Sequence, residues 1–381
     1  MSYTLATLWF DRQRYIPGVL AVAFSALLIA LQCGLLLGLF SVTSIPIDRA
    51  NAHVWVGPPK VLSVDVAQPM SENRARAWLE SQPEVDMRTV EPYILKFAGW
   101  EKPSGGTELC IVIGCNLNEG AIGAVPELTD ELRTKLTERD TIVVDESELE
   151  RLDIKGVGDT AKILDHKVRV VGLVKGMKSI AGPYVFCSLV TARRALRFSP
   201  DQTVYVLAKC HDSKDAPGMV KRLAAEQSRK EEHEALSVFT KQEFSLRSRL
   251  HWLTKTKAGI ALGYAALLGL MVGGVVTVQT LYGATMASMR EYATLLALGI
   301  PRWRIALTIV SQAFMIGVFG VIISWPVVYL LAEAASLLGV KPQLPVWLLG
   351  GAGIITLIMA VGAGSLALRA IKRIEPVNLL R

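Results

Sequence analysis

The sequence is thin in the residues from which most catalytic and metal sites are built. Its 381 residues include five histidines and five cysteines, and no Cys/His cluster falls in zinc-site spacing. No Gly-x-x-x-x-Gly-Lys-Ser/Thr run occurs, so the chain has no P-loop with which to cradle ATP phosphates. His-Glu-x-x-His and Gly-x-Ser-x-Gly are missing as well, which removes the usual zinc-protease and serine-hydrolase patterns. The turn Gly156-Val157-Gly158-Asp159 is too short for a dinucleotide fingerprint and runs into strand composition, not a helix. His53, His166, His211, His233 and His251 are scattered and read as surface or turn residues. The acidic run Asp145, Glu146, Glu148, Glu150 lacks the ligand spacing of an EF-hand. It reads as a solvated helix start, where the helix dipole favours acids.

A second absence says more. Asp, Glu, Lys and Arg are missing from Tyr15–Ile47, Ala258–Met289, Ile305–Ala332 and Pro342–Leu368. Each run exceeds the roughly 20 apolar residues that cross a bilayer. Between Asp48 and Lys257 there are 31 basic and 30 acidic residues, so that module is nearly neutral. Of the net charge of +7, an excess of +6 therefore sits beside the spans. It reflects positive-inside bias and not nucleic-acid binding. Arg12, Arg14, Arg290, Arg302, Arg304, Arg369, Lys372, Arg373 and Arg381 lie on one side, and only Lys341 on the other. Both termini are thus expected in the cytoplasm, with the large module outside.

Ala50-Asn51-Ala52 has the form of a signal-peptidase site, but the apolar run from Ile16 to Phe40 is far longer than the roughly 7–15 residues of a signal peptide's core. Span one is expected to stay as an anchor. Cys33 falls in it; Cys110, Cys115, Cys187 and Cys210 fall in the outer module, where two disulfides and buried free thiols are both open. Gln32, Gln279 and Gln312 are the main polar residues within the spans. A conduction route normally leaves more polar marks, so the spans read as levers. Gly34-x-x-x-Gly38 and Gly269-x-x-x-Gly273 are small-residue seams for close packing of spans one and two, within a chain or across a dimer.

The outer module reads as mixed α and β. Strands are expected at Ala52–Val56, Val90–Trp100, Leu109–Ile113, Tyr184–Leu189 and Thr203–Ala208. Helices are expected at Ser71–Ser81, within Ala121–Arg139, and at Val190–Leu196 and Ala216–Glu232. Around Thr141–Val174 the pattern is strand, short helix, Gly-rich turn, then two strands separated by Asp165-His166-Lys167. From Lys241 the helical pattern runs unbroken into span two.

Between spans two and three lies Met289-Arg-Glu-Tyr-Ala-Thr-Leu-Leu-Ala-Leu-Gly-Ile-Pro-Arg-Trp-Arg304. Met289, Tyr292, Leu295 and Leu296 share one helical face, Gly299 is a stop, and Pro301 opens the next helix. By pattern alone this is a tight connector whose arginines fix topology. However, Arg290-Glu291-Tyr292-Ala293 followed by Leu295-Leu296-Ala297-Leu298-Gly299 resembles the coupling segment of MacB/FtsX-type ABC transporter permeases. The stretch from Thr141 to Val174 resembles the extracytoplasmic signature of MacB-type members, and the ending Pro376…Leu380-Arg381 resembles theirs. Gln32-Cys33-Gly34 with Leu39-Phe40 resembles the first span of the DevC-like subgroup.

The resemblance implies a fold of four transmembrane helices with an α+β extracytoplasmic domain inserted between helices 1 and 2. The plan is an interfacial helix at 1–15, span one at 16–40, the outer core domain with stalk at 41–256 and span two at 257–287. A cytoplasmic coupling helix at 288–304, span three at 305–332, a short outer loop at 333–344, span four at 345–368 and a cytoplasmic tail at 369–381 follow. Arg290, Glu291, Tyr292, Leu295, Leu296, Leu298 and Gly299 would couple to a separate ABC ATPase that binds ATP and magnesium; this chain would hold no cofactor or metal and would not be an enzyme. With span one starting near residue 16, the ATPase is expected to be a separate chain and not a domain fused ahead of it. The implied activity is export by mechanotransmission at a bacterial inner membrane. The chain would be a homodimer in membrane lipid, with a membrane-fusion adaptor and an outer-membrane channel. LolC/LolE-like lipoprotein release and FtsX-like regulation of a cell-wall hydrolase are the rival implications.

Overall fold

The computed structural model describes residues 12–179, 181–231, 235–337 and 342–372. The chain divides into two compact units, one of residues 1–39 with 257–381 and one of residues 40–256. Of the expected interfacial helix, residues 12–15 form the first turn of helix α1 (Arg12–Thr43). The rest of it, Lys341 and the tail beyond residue 372 lie outside the described residues.

After Ser44 the outer unit begins with α2 (Ile45–Arg49) and β1 (Val54–Gly57), then a long loop to β2 (Met70–Ser71) and α3 (Glu72–Glu80). β3 (Glu91–Glu101) and β4 (Thr107–Cys115) form a hairpin, followed by α4 (Asp130–Leu136), β5 (Thr141–Asp145) and the short α5 (Leu149–Leu152). β6 (Thr160–Ile163) and β7 (His166–Val174) form a second hairpin. Then come β8 (Tyr184–Ser188), α6 (Leu189–Leu196), β9 (Gln202–Thr203), β10 (Tyr205–Ala208), α7 (Ala216–Gln227), β11 (Ser237–Thr240) and α8 (Lys241–Lys255).

These strands form a nine-stranded sheet in the order β11-β1-β10-β3-β4-β8-β5-β7-β6, while β2 and β9 pair separately. β3 is long enough to serve two neighbours along one edge: Glu91–Tyr93 pairs with β10, and Trp100–Glu101 pairs with β6. The second pairing closes β3, β4, β8, β5, β7 and β6 into a ring, which covers the edge that β6 would otherwise present. Apolar side chains from these strands fill the main core. In that core the fully buried Trp55 has Tyr93 and Tyr205 edge-on at 5.4 and 5.7 Å and Phe244 of α8 at 5.6 Å. Truncating such a buried aromatic costs about 3–5 kcal/mol. A second core lies where Val54, Val56, Val206 and Val238 meet α3 and α7.

The membrane unit continues from α1 with α9 (Lys257–Ala287), α10 (Met289–Ala297), α11 (Arg302–Leu337) and α12 (Val346–Lys372). Among the described residues four helices are long and apolar enough to cross a membrane: Tyr15–Thr43, Lys257–Ala287, Arg302–Ser336 and Val346–Ser365. Pro326 lies inside α11, where helix neighbours can re-satisfy the backbone it interrupts.

Several expectations need correction. The helix from Lys241 does break before span two: Thr256 is extended (φ −96°, ψ 146°) between α8 and α9. Thr256 is β-branched, and the helical pattern on either side conceals the break. The β6–β7 loop is only Leu164-Asp165, both at positive φ (48° and 70°), with His166 already paired to Ile163. That is the two-residue hairpin geometry that fits strand twist. The acidic run is not a solvated helix start. Asp145 and Glu148 are buried, Asp145 accepting hydrogen bonds from the Ser147 and Met177 amides at 2.9 and 2.6 Å, while Glu146 and Glu150 stay exposed.

Candidate functional site

α10 is a nine-residue helix whose position is fixed at its end and along one side. Gly299 takes φ +87°, a left-handed conformation that a glycine reaches without steric cost. The Gly299 amide donates to Leu296 O at 3.0 Å and the Ile300 amide to Leu295 O at 3.1 Å. This pair of bonds is the Schellman stop, in which the residue after the glycine packs back on the helix. Ile300 does so, joining Leu295, Leu296 and the buried Tyr292, Ile305 and Ile309 in one small core. The Tyr292 hydroxyl donates to Gln312 Oε1 at 3.0 Å, a buried hydrogen bond to the first half of α11.

The other face of this connection is open. Glu291, Thr294, Gly299, Pro301, Arg302 and Arg304 are exposed, and so are two large apolar side chains, Leu298 at 75% and Trp303 at 63%. The Arg304 guanidinium lies over the Trp303 ring at 5.4 Å from its centroid, a cation–π contact that steadies an exposed aromatic. The sequence-derived set thus separates by direction. Tyr292, Leu295 and Leu296 turn toward α11, Glu291 and Leu298 turn away, and Gly299 supplies the stop. Arg290 lies in the helix, and its side chain is outside the described residues. Trp303 was missed because an aromatic beside two arginines reads equally as a membrane-interface anchor.

The small-residue seams also separate. A Cβ at Gly269 would overlap the Gln32 amide, and one at Gly273 would lie 3.1 Å from Ser25 Cβ. Span two therefore meets span one through Gly269 and Gly273. Ser25 Oγ donates to Gly273 O at 2.8 Å and shares a 2.9 Å hydrogen bond with Thr277. Gly34 does not face span two. A Cβ there would meet Leu344 Cδ2 at 2.6 Å, and its carbonyl accepts from the Gln343 amide at 3.0 Å. Gly38 is buried.

In the outer unit, the segments nearest in sequence to the spans are tied together. Arg249 of α8 donates to Ser44 Oγ at 2.8 Å and to Asp48 Oδ2 at 2.6 Å, bridging to the start and body of α2. The loop after β1 is held against α8 as well. Arg247 Nε donates to Val61 O at 2.8 Å, the Val64 amide donates to Ser248 Oγ at 3.1 Å, and Trp252 Nε1 donates to Asp65 Oδ2 at 3.0 Å. Burial raises the Asp65 carboxyl above its usual range despite the Ser63 and Trp252 hydrogen bonds. Burial likewise raises Glu91, which accepts from the Gly123 amide, and Glu148.

The other titratable residues do not converge on a site. His53 Nδ1 accepts from the Cys210 amide at 3.2 Å, and His166 pairs with Asp140 at 2.8 Å. Cys110, Cys115, Cys187 and Cys210 are buried free thiols. Burial pushes Cys110 and Cys115 up to about 12. Among the described residues no group of His, Cys, Asp and Glu is arranged to hold a metal.

Helices long and apolar enough to cross a membrane, a large folded insertion after the first of them and a capped amphipathic helix after the second define the architecture of a membrane protein with one large inserted domain. Its family follows from two matches. The model of the MacB-like periplasmic core domain covers residues 19–226, and that of the FtsX-like permease C-terminal domain covers residues 263–376. The chain belongs to the MacB/FtsX-type permease family. It is therefore an ABC transporter permease component, a membrane protein with an extracytoplasmic domain, and the family implies a partner ATPase.

No curated protein matches the chain. Among solved structures it is similar to the periplasmic region of MacB from Actinobacillus actinomycetemcomitans, with 13% identity, TM-score 0.33, and 51% of this chain and 92% of that one covered. It is also similar to the extracellular domain of the noncanonic ABC-type transporter YknZ from Gram-positive bacteria, with 13% identity, TM-score 0.34, and 50% and 100% covered. The family assignment rests on the two models and not on these likenesses.

Proposed function

We propose that this chain is a mechanotransmitting permease subunit. A separate ATPase binds ATP and magnesium, and its closure pushes on α10. The bundle passes that displacement to the extracytoplasmic domain, which works on substrate already outside the membrane. Both termini lie in the cytoplasm, on the side of the arginine-rich connection. Two copies form the working unit. In a cell with an outer membrane, an adaptor and an outer-membrane channel complete the export route.

The observation that carries this reading is the build of α10. A helix stopped by a Schellman turn and bonded through Tyr292 to Gln312 moves with α11 when pushed. Its exposed face carries the Glu291 carboxylate and apolar surface at Leu298 and Trp303. Exposed apolar residues rimmed by charge fit either a protein or a membrane contact, and this reading assigns Leu298 to the ATPase.

The test is affinity purification of the tagged chain in mild detergent, followed by mass spectrometry and ATPase assay. An ABC ATPase that co-purifies with a periplasmic adaptor is the expected result. Glu291→Lys should then reduce substrate-linked ATP turnover while the subunit stays folded. An ATPase recovered with a peptidoglycan hydrolase would replace export by regulation. Recovery of no ATPase, or full turnover by Glu291→Lys, would overturn the coupling role.

A further inference from the structure

β11 is the last strand of the nine-stranded sheet and has one strand neighbour, β1. Beside it runs a cleft of about 380 Å³. Four consecutive residues, Leu236 to Phe239, line it together with Gln227 and the cations Lys60, Lys230 and Arg247. Three of these, Ser237, Val238 and Phe239, belong to β11, so the cleft runs along that strand. A compact anion would touch only part of it.

Two further features point to a ligand. Gln227 is only 4% exposed, and its Oε1 accepts from the Leu236 amide at 3.0 Å. Its Nε2, however, has no acceptor among the described residues. An unsatisfied buried donor costs about 1–3 kcal/mol, which a bound carbonyl or carboxylate would recover. The charge of the lining is also one-sided: among its described residues there is no Asp or Glu. Lys230 shares its charge with Glu226 at 3.3 Å. Arg247 is held in place by Val61 O at 2.8 Å and by the Phe239 ring, 5.2 Å from its guanidinium.

We infer that this cleft takes an extended, acidic segment of a partner protein, which adds as a strand to β11. Main-chain hydrogen bonds would give such a segment its affinity, and pockets for alternate side chains its specificity. Phe239, which is only partly buried, supplies apolar surface, and Lys60, Lys230 and Arg247 meet the carboxylates. The inference does not depend on the role of α10.

The experiment uses the full chain in lipid nanodiscs and fluorescence polarisation of labelled peptides of about six residues, the usual strand length. The probe alternates Val and Glu; one control alternates Val and Lys, and another replaces alternate residues of the acidic probe by proline, which removes amide donors. Saturable binding of the acidic probe alone is expected, weakened about tenfold in Lys60→Glu/Lys230→Glu, whose charge repels carboxylates. These two side chains lie on the cleft wall, and an unchanged melting temperature of the variant separates lost binding from misfolding. Gln227→Met gives a second reading, with weaker binding expected. Equal binding of the proline peptide would overturn strand addition. Displacement by millimolar inorganic phosphate would make this a small-anion site, and no saturable binding would remove it altogether.

Discussion

At Gly273 the distance between two membrane helices is set by a single missing methyl group. A Cβ there would sit 3.1 Å from Ser25 Cβ, and the Ser25 hydroxyl already bonds across the seam to Gly273 O and Thr277. Gly273→Val is expected to lower stability by roughly 1–3 kcal/mol, the usual cost of overpacking, read as a fall in melting temperature in detergent. Glu148 raises a different residue-level question, because its carboxyl is buried and its Oε1 has no hydrogen-bond partner. Burial lifts its folded pKa above 4.5. The ionised form is therefore penalised in the folded state: stability is highest below the unfolded value and is lost as pH rises through the folded one. Glu148→Gln should accordingly raise the melting temperature at pH 7.5 and leave it nearly unchanged at about pH 4, where the wild-type carboxyl also carries a proton. An equal gain at both values would show that packing, not ionisation, is responsible. The sequence did not reveal this acid's burial, since Asp145, Glu146, Glu148 and Glu150 look alike in a row and only the fold separates them.

Among the elements, α10 was readable as a short amphipathic helix because its apolar spacing and Gly299 both mark it. Its direction was not. Tyr292, Leu295 and Leu296 form an apolar face that fits a partner as well as it fits the rest of the bundle, and only the contacts with Ile305 and Ile309 decide. The two faces make separable predictions. Leu295→Asp puts a charge into that small core and should lower both melting temperature and ATPase retention. Leu298→Asp alters a side chain that is 75% exposed, and should lower ATPase retention while melting is unchanged. Retained ATPase in the Leu298 variant would move the docking surface elsewhere. Gly299→Ala meets no neighbouring atom, yet its positive φ should cost about 1–2 kcal/mol and loosen the helix end. A partial loss of coupled ATP turnover with normal ATPase binding is expected. β11 escaped notice because four residues give too few repeats for a period.

For the molecule as a whole, the spans were legible because charge-free runs of that length have few other uses. The strand-rich middle was legible as composition, but its closure through β3 and β6 was not. That pairing joins residues some sixty positions apart, Trp100 with Ile163, and no local pattern encodes it. The same folded module keeps Cys110, Cys115, Cys187 and Cys210 buried as thiols. A maleimide reagent is therefore expected to leave all four untouched in the native protein and to label them after denaturation without reductant. Protection that survives denaturation would reveal disulfides instead.

Those thiols also set a clock on biogenesis. Outside the cytoplasm an unfolded chain meets oxidants that join any cysteines within reach, and Cys110, Cys115 and Cys187 lie on adjacent strands β4 and β8. Once the ring has closed, burial pushes Cys110 and Cys115 up to about 12 and raises Cys187 as well, so almost no reactive thiolate is left at neutral pH. Correct maturation is then a race that folding must win over oxidation, and any variant that slows closure of the ring invites a mispaired, covalently trapped product.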